Sequence, residues 1–139
     1  MKVSPYLTFN GNCAEAIVLY EKAFGVKAES CQYKDAPPSE GYNPPSGTEN
    51  FIMHAQFCVG EGIIMMCDTT PDMKHSFSNG MAILVQFDDE ESAKKAFDIL
   101  KEGGSVGMEL QQTFWDKCFG SLEDKFGVGW MISLGAPGQ

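Results

Sequence analysis

The chain has 139 residues, 43% hydrophobic and 21% charged, a composition that excludes a disordered segment and suffices for one domain with a buried core. Its 19 acidic residues outnumber 10 basic ones for a formal net charge of −9, and the scattered basic residues exclude the clustered positive footprint of a nucleic-acid or anionic-membrane surface. No apolar run approaches the roughly 18 residues of a membrane span, and no basic stretch followed by an apolar run opens the chain, so a soluble cytoplasmic protein is expected.

The first predicted elements are a short strand and an amphipathic helix within "YLTFNGNCAEAIVLYEKAFG", residues 6–25. Asn12 followed three residues later by Glu15 forms a capping-box start, and Gly25 is placed to end the helix. Ala16, Ile17, Tyr20, Ala23 and Phe24 supply its apolar stripe. Strand-like runs follow at 28–33, 51–59 and 62–67, with a proline-rich loop at 35–50. That loop is either a solvated connection or a lid, because loops of this length are often functional. Asp68 is expected to cap the turn that leads into "TTP", and 68–80 links two halves of the chain.

The grammar then repeats. "ILVQFDDEESAKKAFDILKEGG", residues 83–104, is again a strand and a helix, opened by Asp88 with Glu91 and closed by Gly103. Ala93, Ala96, Phe97 and Leu100 keep the i, i+3, i+4, i+7 spacing of a buried stripe. Strand-like runs follow at 106–110, 118–123 and 129–134, and "VGEGIIMM" and "FGVGWMI" each place a glycine-bearing tight turn before an apolar strand. Each half therefore reads β-α-β-β-β. One helix covers only one face of a four-stranded sheet, so two copies must pair through their sheets, and paired curved sheets enclose a cleft of the kind that binds small molecules. The expected organisation is a single domain, 1–139, of two modules, 1–68 and 80–139, linked by 69–79. The five cysteines, Cys13, Cys31, Cys58, Cys67 and Cys118, share no C-x-x-C spacing and read as reduced core residues rather than zinc ligands.

The paired βαβββ modules, the "NGNCAEAIVLYEKAFG" helix and the "EDKFGVGWMI" hairpin together resemble the vicinal oxygen chelate superfamily, which includes glyoxalase I, extradiol dioxygenases and bleomycin-resistance proteins. "IMHAQFCVGEGIIMMCD" and "QTFWDKCFGSLEDKFGVGWMIS" are similar to its PhnB-like branch, often labelled a 3-demethylubiquinone 3-methyltransferase domain. The resemblance runs from Tyr6 to Ser133 and implies an α+β fold of curved sheets around a cleft. Metal-using members of the superfamily carry His or Glu ligands on the first and fourth strands of each module. Here those positions fall near Tyr6 or Thr8, at Met65 or Met66, near Ala82, Leu84 or Gln86, and at Met131. None is an imidazole or a carboxylate, and thioethers do not suit hard divalent ions, so neither a metal nor any other cofactor is expected.

Chemistry then rests on few residues. His54 is either a general base, with an unperturbed pKa near 6.5, or a histidine bonded within the sheet or a dimer contact, whereas His75 reads as surface. Phe114 and Trp115 are either structural, in the core or at a subunit contact, or the wall of a pocket, in which case Phe119 shares the cavity and Gln86, Gln111 and Thr113 orient a ligand; Met66 is either adaptable lining of that cleft or core filler. Glu123 and Asp124 read as hairpin-turn residues. The expected function is metal-free binding of a small, partly apolar molecule in the inter-module cleft of a homodimer. The alternatives are an enzyme, such as a glyoxalase-like lyase or isomerase, using His54 as base, and a ligand-free scaffold or regulatory homodimer. No Gly-rich strand-to-helix loop that would cradle S-adenosylmethionine is visible.

Overall fold

The computed structural model of the chain describes residues 1–36 and 45–138. Residues 37–44, the centre of the segment read as a lid or connection, lie outside the described residues. The chain divides into two compact units, Met1–Glu21 with Val26–Ser76, and Lys22–Gly25 with Phe77–Gln139.

The first unit holds β1 (Tyr6–Phe9), most of α1 (Cys13–Phe24), β2 (Glu29–Gln32), β3 (Ile52–Val59) and β4 (Gly62–Asp68). Its sheet runs in the order β1-β4-β3-β2, with β1 parallel to β4 and the other pairs antiparallel. The period-two alternation of strands sorts the side chains onto two faces. Leu7, Phe9, Ala55, Phe57, Ile64 and Met66 are buried together with Ala16, Ile17 and Tyr20 of α1, and the Tyr20 and Phe57 rings lie 6.1 Å apart. Tyr6, Thr8, His54, Met65 and Cys67 fall on the opposite, open face.

The second unit repeats the plan with β5 (Ile83–Gln86), α2 (Glu90–Lys101), β6 (Ser105–Gln111), β7 (Phe119–Glu123) and β8 (Gly129–Ser133), in the order β5-β8-β7-β6. Ala93, Ala96, Phe97 and Leu100 form the buried stripe of α2, as their spacing requires. Trp130 is fully buried, with Phe24 at 5.2 Å between ring centroids, and its indole N–H donates to Asp124 Oδ2 at 2.9 Å. Asp124 also accepts the N–H groups of Phe126 and Val128 on Oδ1, which closes the β7–β8 hairpin. Gly25 and Gly103, with φ of 65° and 75°, end the two helices in the left-handed region where glycine costs least.

Two helix starts differ from the sequence reading. The carboxylate that caps α2 is Asp89, one residue beyond Asp88, accepting the Ser92 N–H at 2.8 Å. At α1, Asn12 offers its backbone carbonyl to the Ala16 N–H at 3.2 Å, while the N–H groups of Gly11 and Cys13 both donate to Asp68 Oδ1 at 2.9 Å. Asp68 Oδ2 accepts the Ile52 N–H at 2.9 Å, so this buried carboxylate joins the end of β4 to α1 and β3 instead of capping the turn after it. Its negative charge also sits favourably at a helix N-terminus. Replacing Asp68 by Asn puts an amide donor where an acceptor is needed; urea unfolding should register a loss of about 1–3 kcal/mol.

Candidate functional site

The open face of the second sheet assembles most of the residues singled out in the sequence. Register pairs Gln86 with Ser133, Ser133 with Phe119, and Phe119 with Gln111, so these four form one row across β5, β8, β7 and β6. The Trp115 ring meets Phe119 edge-on at 5.7 Å, and Phe114 meets Trp115 edge-on at 4.9 Å. Trp115 is 44% exposed and Phe114 90% exposed. The pair is an aromatic shoulder at the end of the row, not core. A second row lies beside it: Leu84 opposite Met131, and Met131 opposite Ser121. Past Met131 and Ser121 the same face opens into a groove of about 260 Å³, lined also by Ser105, Gly107, Glu123 and Gly129.

A buried carboxylate holds this shoulder in place. Asp116 Oδ1 accepts the N–H groups of Cys118 and Leu134 at 2.9 and 3.0 Å, and Oδ2 accepts the Ser133 hydroxyl. Thr113 closes the same turn by donating its N–H to the Asp116 carbonyl at 3.0 Å, so it braces the aromatic pair. Gln111 donates its amide to the Glu109 carbonyl at 3.1 Å. Burial opposes charge on Asp116, but the Ser133 hydroxyl and the N–H groups of Cys118, Leu134 and Gly135 outweigh it and hold the carboxyl below its usual range.

Met66 does not join this face. It pairs with Leu7 and Ala55 on the helix side of the first sheet and is fully buried, so it is core; one residue earlier, Met65 stands on the open face opposite Tyr6 and Gln56. His54 is on that same open face. The Tyr6 hydroxyl lies 3.4 Å from His54 Nδ1, with ring centroids 6.1 Å apart, and Cys67 pairs with Thr8, its Sγ 3.9 Å from the threonine hydroxyl. Burial, then the neighbouring Cys67, pushes the Tyr6 phenol up to about 12. Tyr6 as partner of His54 was absent from the sequence reading, although the alternation in "YLTF" marks it as facing away from the core. His75 is bound in the loop after β4, its N–H donating to Asn10 Oδ1 at 2.9 Å.

The positions at which metal-using relatives carry ligands place Tyr6 beside Met65 and Leu84 beside Met131. Neither pair offers an imidazole or a carboxylate, and phenol, thioether and alkyl groups do not fit a hard divalent ion. Among the described residues, no three His, Cys, Asp or Glu side chains are grouped to hold a metal.

Residues 1–133 match the family model described as 3-demethylubiquinone-9 3-methyltransferase. The chain is 37% identical to protein YjdN of Escherichia coli (strain K12), over 96% of this chain and 95% of that one. Among solved structures it is similar to protein PA1353 from Pseudomonas aeruginosa, with 36% identity, TM-score 0.83 and 96% of each chain covered. It is also similar to a putative 3-demethylubiquinone-9 3-methyltransferase, PhnB protein, from Bacillus cereus, with 26% identity, TM-score 0.74 and 96% and 98% covered. A glyoxylase/bleomycin resistance protein/dioxygenase domain from Frankia sp. EAN1pec, 11% identical with TM-score 0.66 over 100% and 94% of the two chains, shares the fold.

The two tryptophans make contrasting tests. Trp130→Ala should cost about 3–5 kcal/mol in urea unfolding, as buried large aromatics do, whereas Trp115→Ala should cost under about 1 kcal/mol. Asp116 has the opposite dependence from a basic group. Because its folded-state pKa is depressed, its contribution is complete above the unfolded carboxyl value near 3.9 and is lost as pH falls below that through the folded value. The stability gap between the native protein and Asp116→Asn should therefore narrow below about pH 4 when unfolding midpoints are followed against pH.

Proposed function

Since the chain belongs to the PhnB-like 3-demethylubiquinone-9 3-methyltransferase family and has the glyoxalase/bleomycin-resistance fold, we propose that it binds a small, partly apolar molecule on the open face of its second sheet. The observation that carries this reading is the row Gln86–Ser133–Phe119–Gln111 with Trp115 set edge-on to Phe119. With Met131 in the adjoining row, it combines aromatic and thioether surface with a few amide and hydroxyl groups, the composition of small-molecule sites. Ser133 is committed to Asp116 and one amide hydrogen of Gln111 to the Glu109 carbonyl, so the Gln86 amide and the remaining amide groups of Gln111 are the orienting groups and the aromatics supply contact area.

The family's label names a methyl transfer, but the strand-to-helix connections do not fit a methyl-donor cradle. Residues 10–12 and 87–89 contain a single glycine, Gly11, and a Cβ built there would meet the Phe51 ring at 2.9 Å. That turn is filled by an aromatic side chain of the protein itself. The proposal is therefore ligand binding without a metal, in a cytoplasmic homodimer. A second reading, an enzyme using His54 as base, is favoured by the Tyr6–His54 contact.

A thermal-shift screen of small aromatic compounds, with Trp115 fluorescence as a second signal, tests the reading. A true ligand at 100 times its Kd adds about 2.7 kcal/mol of stability, and Trp115→Ala should abolish that gain while the protein stays folded. A protein unresponsive to the whole screen, or a gain that survives Trp115→Ala, would remove the site from this face.

A further inference from the structure

Asparagine followed by glycine occurs twice in the chain, at Asn10–Gly11 and Asn79–Gly80. In an unfolded chain such a pair is prone to lose its side-chain amide, because a residue without Cβ lets its backbone nitrogen reach the preceding side-chain carbonyl carbon. Both asparagines are exposed, so accessibility alone does not separate them. Their hydrogen bonds do. The Asn10 amide is bound at both ends, Nδ2 donating to the His75 carbonyl at 2.7 Å and Oδ1 accepting the His75 N–H at 2.9 Å. The Gly11 N–H, which would have to attack, is held by the buried Asp68 carboxylate at 2.9 Å, and the Phe51 ring packs against Gly11. At the second pair, the Asn79 amide has no hydrogen-bond partner among the described residues. The Gly80 N–H donates to the hydroxyl of the exposed Ser78 at 3.0 Å, a neutral bond that water can replace.

We propose that Asn79 is a site of spontaneous modification by water, and that Asn10, with the same neighbour, is protected from it. The Gly80 nitrogen forms a bond to Asn79 Cγ as its proton passes to solvent. The Cγ–Nδ2 bond breaks, and the nitrogen takes a proton from solvent and leaves as ammonia. Water then adds to one of the two carbonyl carbons of the cyclic imide and opens it, giving aspartate or isoaspartate. One water is consumed, one ammonia is released, and nothing is oxidised or reduced. The change falls on the groove of the second sheet. Asn79 and Ser78 line it, and Glu123 is the one charged side chain among its described lining residues, so the product carboxylate brings a second negative charge. Isoaspartate also lengthens the main chain by one carbon just before Met81 and Ala82. That segment lies so close to β8 that a Cβ on Gly129 would meet the Met81 carbonyl oxygen at 3.0 Å, so the added carbon falls on a wall of the groove.

Native and urea-unfolded protein, incubated side by side in mildly alkaline buffer and mapped by peptide mass spectrometry, test the assignment. Conversion is read at each asparagine as the mass gained when an amide becomes a carboxyl, with isoaspartate separated by its retention. In urea the two pairs should convert at comparable rates. In the native protein Asn79 should convert at least about tenfold faster than Asn10, whose protection only local opening removes. Asn10 converting as fast as Asn79 in the folded protein, or Asn79 staying intact there while it converts in urea, would overturn the proposal. So would a difference as large in urea as in the native state, which would trace to sequence alone. Gly80→Ala tests the route through the backbone nitrogen. A Cβ there meets nothing nearer than Ser78 Oγ at 3.4 Å, and Gly80 has no positive φ, so the variant keeps the fold. It should slow Asn79 at least about tenfold and leave Asn10 unchanged; an unaltered Asn79 rate would exclude the imide and with it the proposal.

Discussion

Buried carboxylates that each gather three donors are the constraint on which the rest of this structure depends. Asp68 takes the N–H groups of Gly11, Cys13 and Ile52; Asp116 takes those of Cys118 and Leu134 with the Ser133 hydroxyl; Asp124 takes those of Phe126 and Val128 with the Trp130 indole. An unpaired carboxylate in such surroundings is costly, whereas one saturated with donors is held in a single position. Among the described residues no buried side-chain nitrogen or oxygen lacks a partner. The aromatic shoulder at 114–115 is a consequence: two exposed rings keep a fixed place because the turn beneath them is tied to the end of β8.

The repeated strand–helix grammar was legible because it rests on local periodicity. The stripes of both helices, the glycines that end them and the two tight hairpins were all visible as spacing. The parity of Met65 and Met66 was not, because a one-residue choice decides which face a strand residue occupies, and two equal side chains in sequence give no cue. The capping role of Asp68 was hidden for another reason. Its partners Gly11 and Cys13 lie 57 and 55 residues away, beyond the reach of any local motif. The Tyr6–His54 contact, 48 residues apart, shares that obstacle. Gln86, Phe119 and Gln111 could be named as polar and aromatic candidates, but only the register of three strand pairs reveals that they form a row.

One topology is thus used twice with different chemical surfaces. The first sheet presents a phenol, an imidazole and thiols, while the second presents amides, aromatic rings and a thioether beside a serine-lined groove. Their helix-side faces are alike in being aliphatic and aromatic, since that is what a covering helix demands. Divergence is confined to the faces on which packing places no such demand, which is why a shared fold leaves the activity of the chain to be argued from particular side chains.

The two helices also differ in what their first turns require. The start of α2 is completed by Asp89, three residues from the Ser92 amide it binds, so that helix carries its own nucleation signal. The start of α1 is completed by Asp68, which lies at the end of the strand paired with β1. Helix formation in the first half is therefore coupled to closure of a long loop, and in the second it is local. Two halves with one topology need not share one order of assembly: α2 is equipped to precede its sheet, and α1 to follow the strand that ends in its cap.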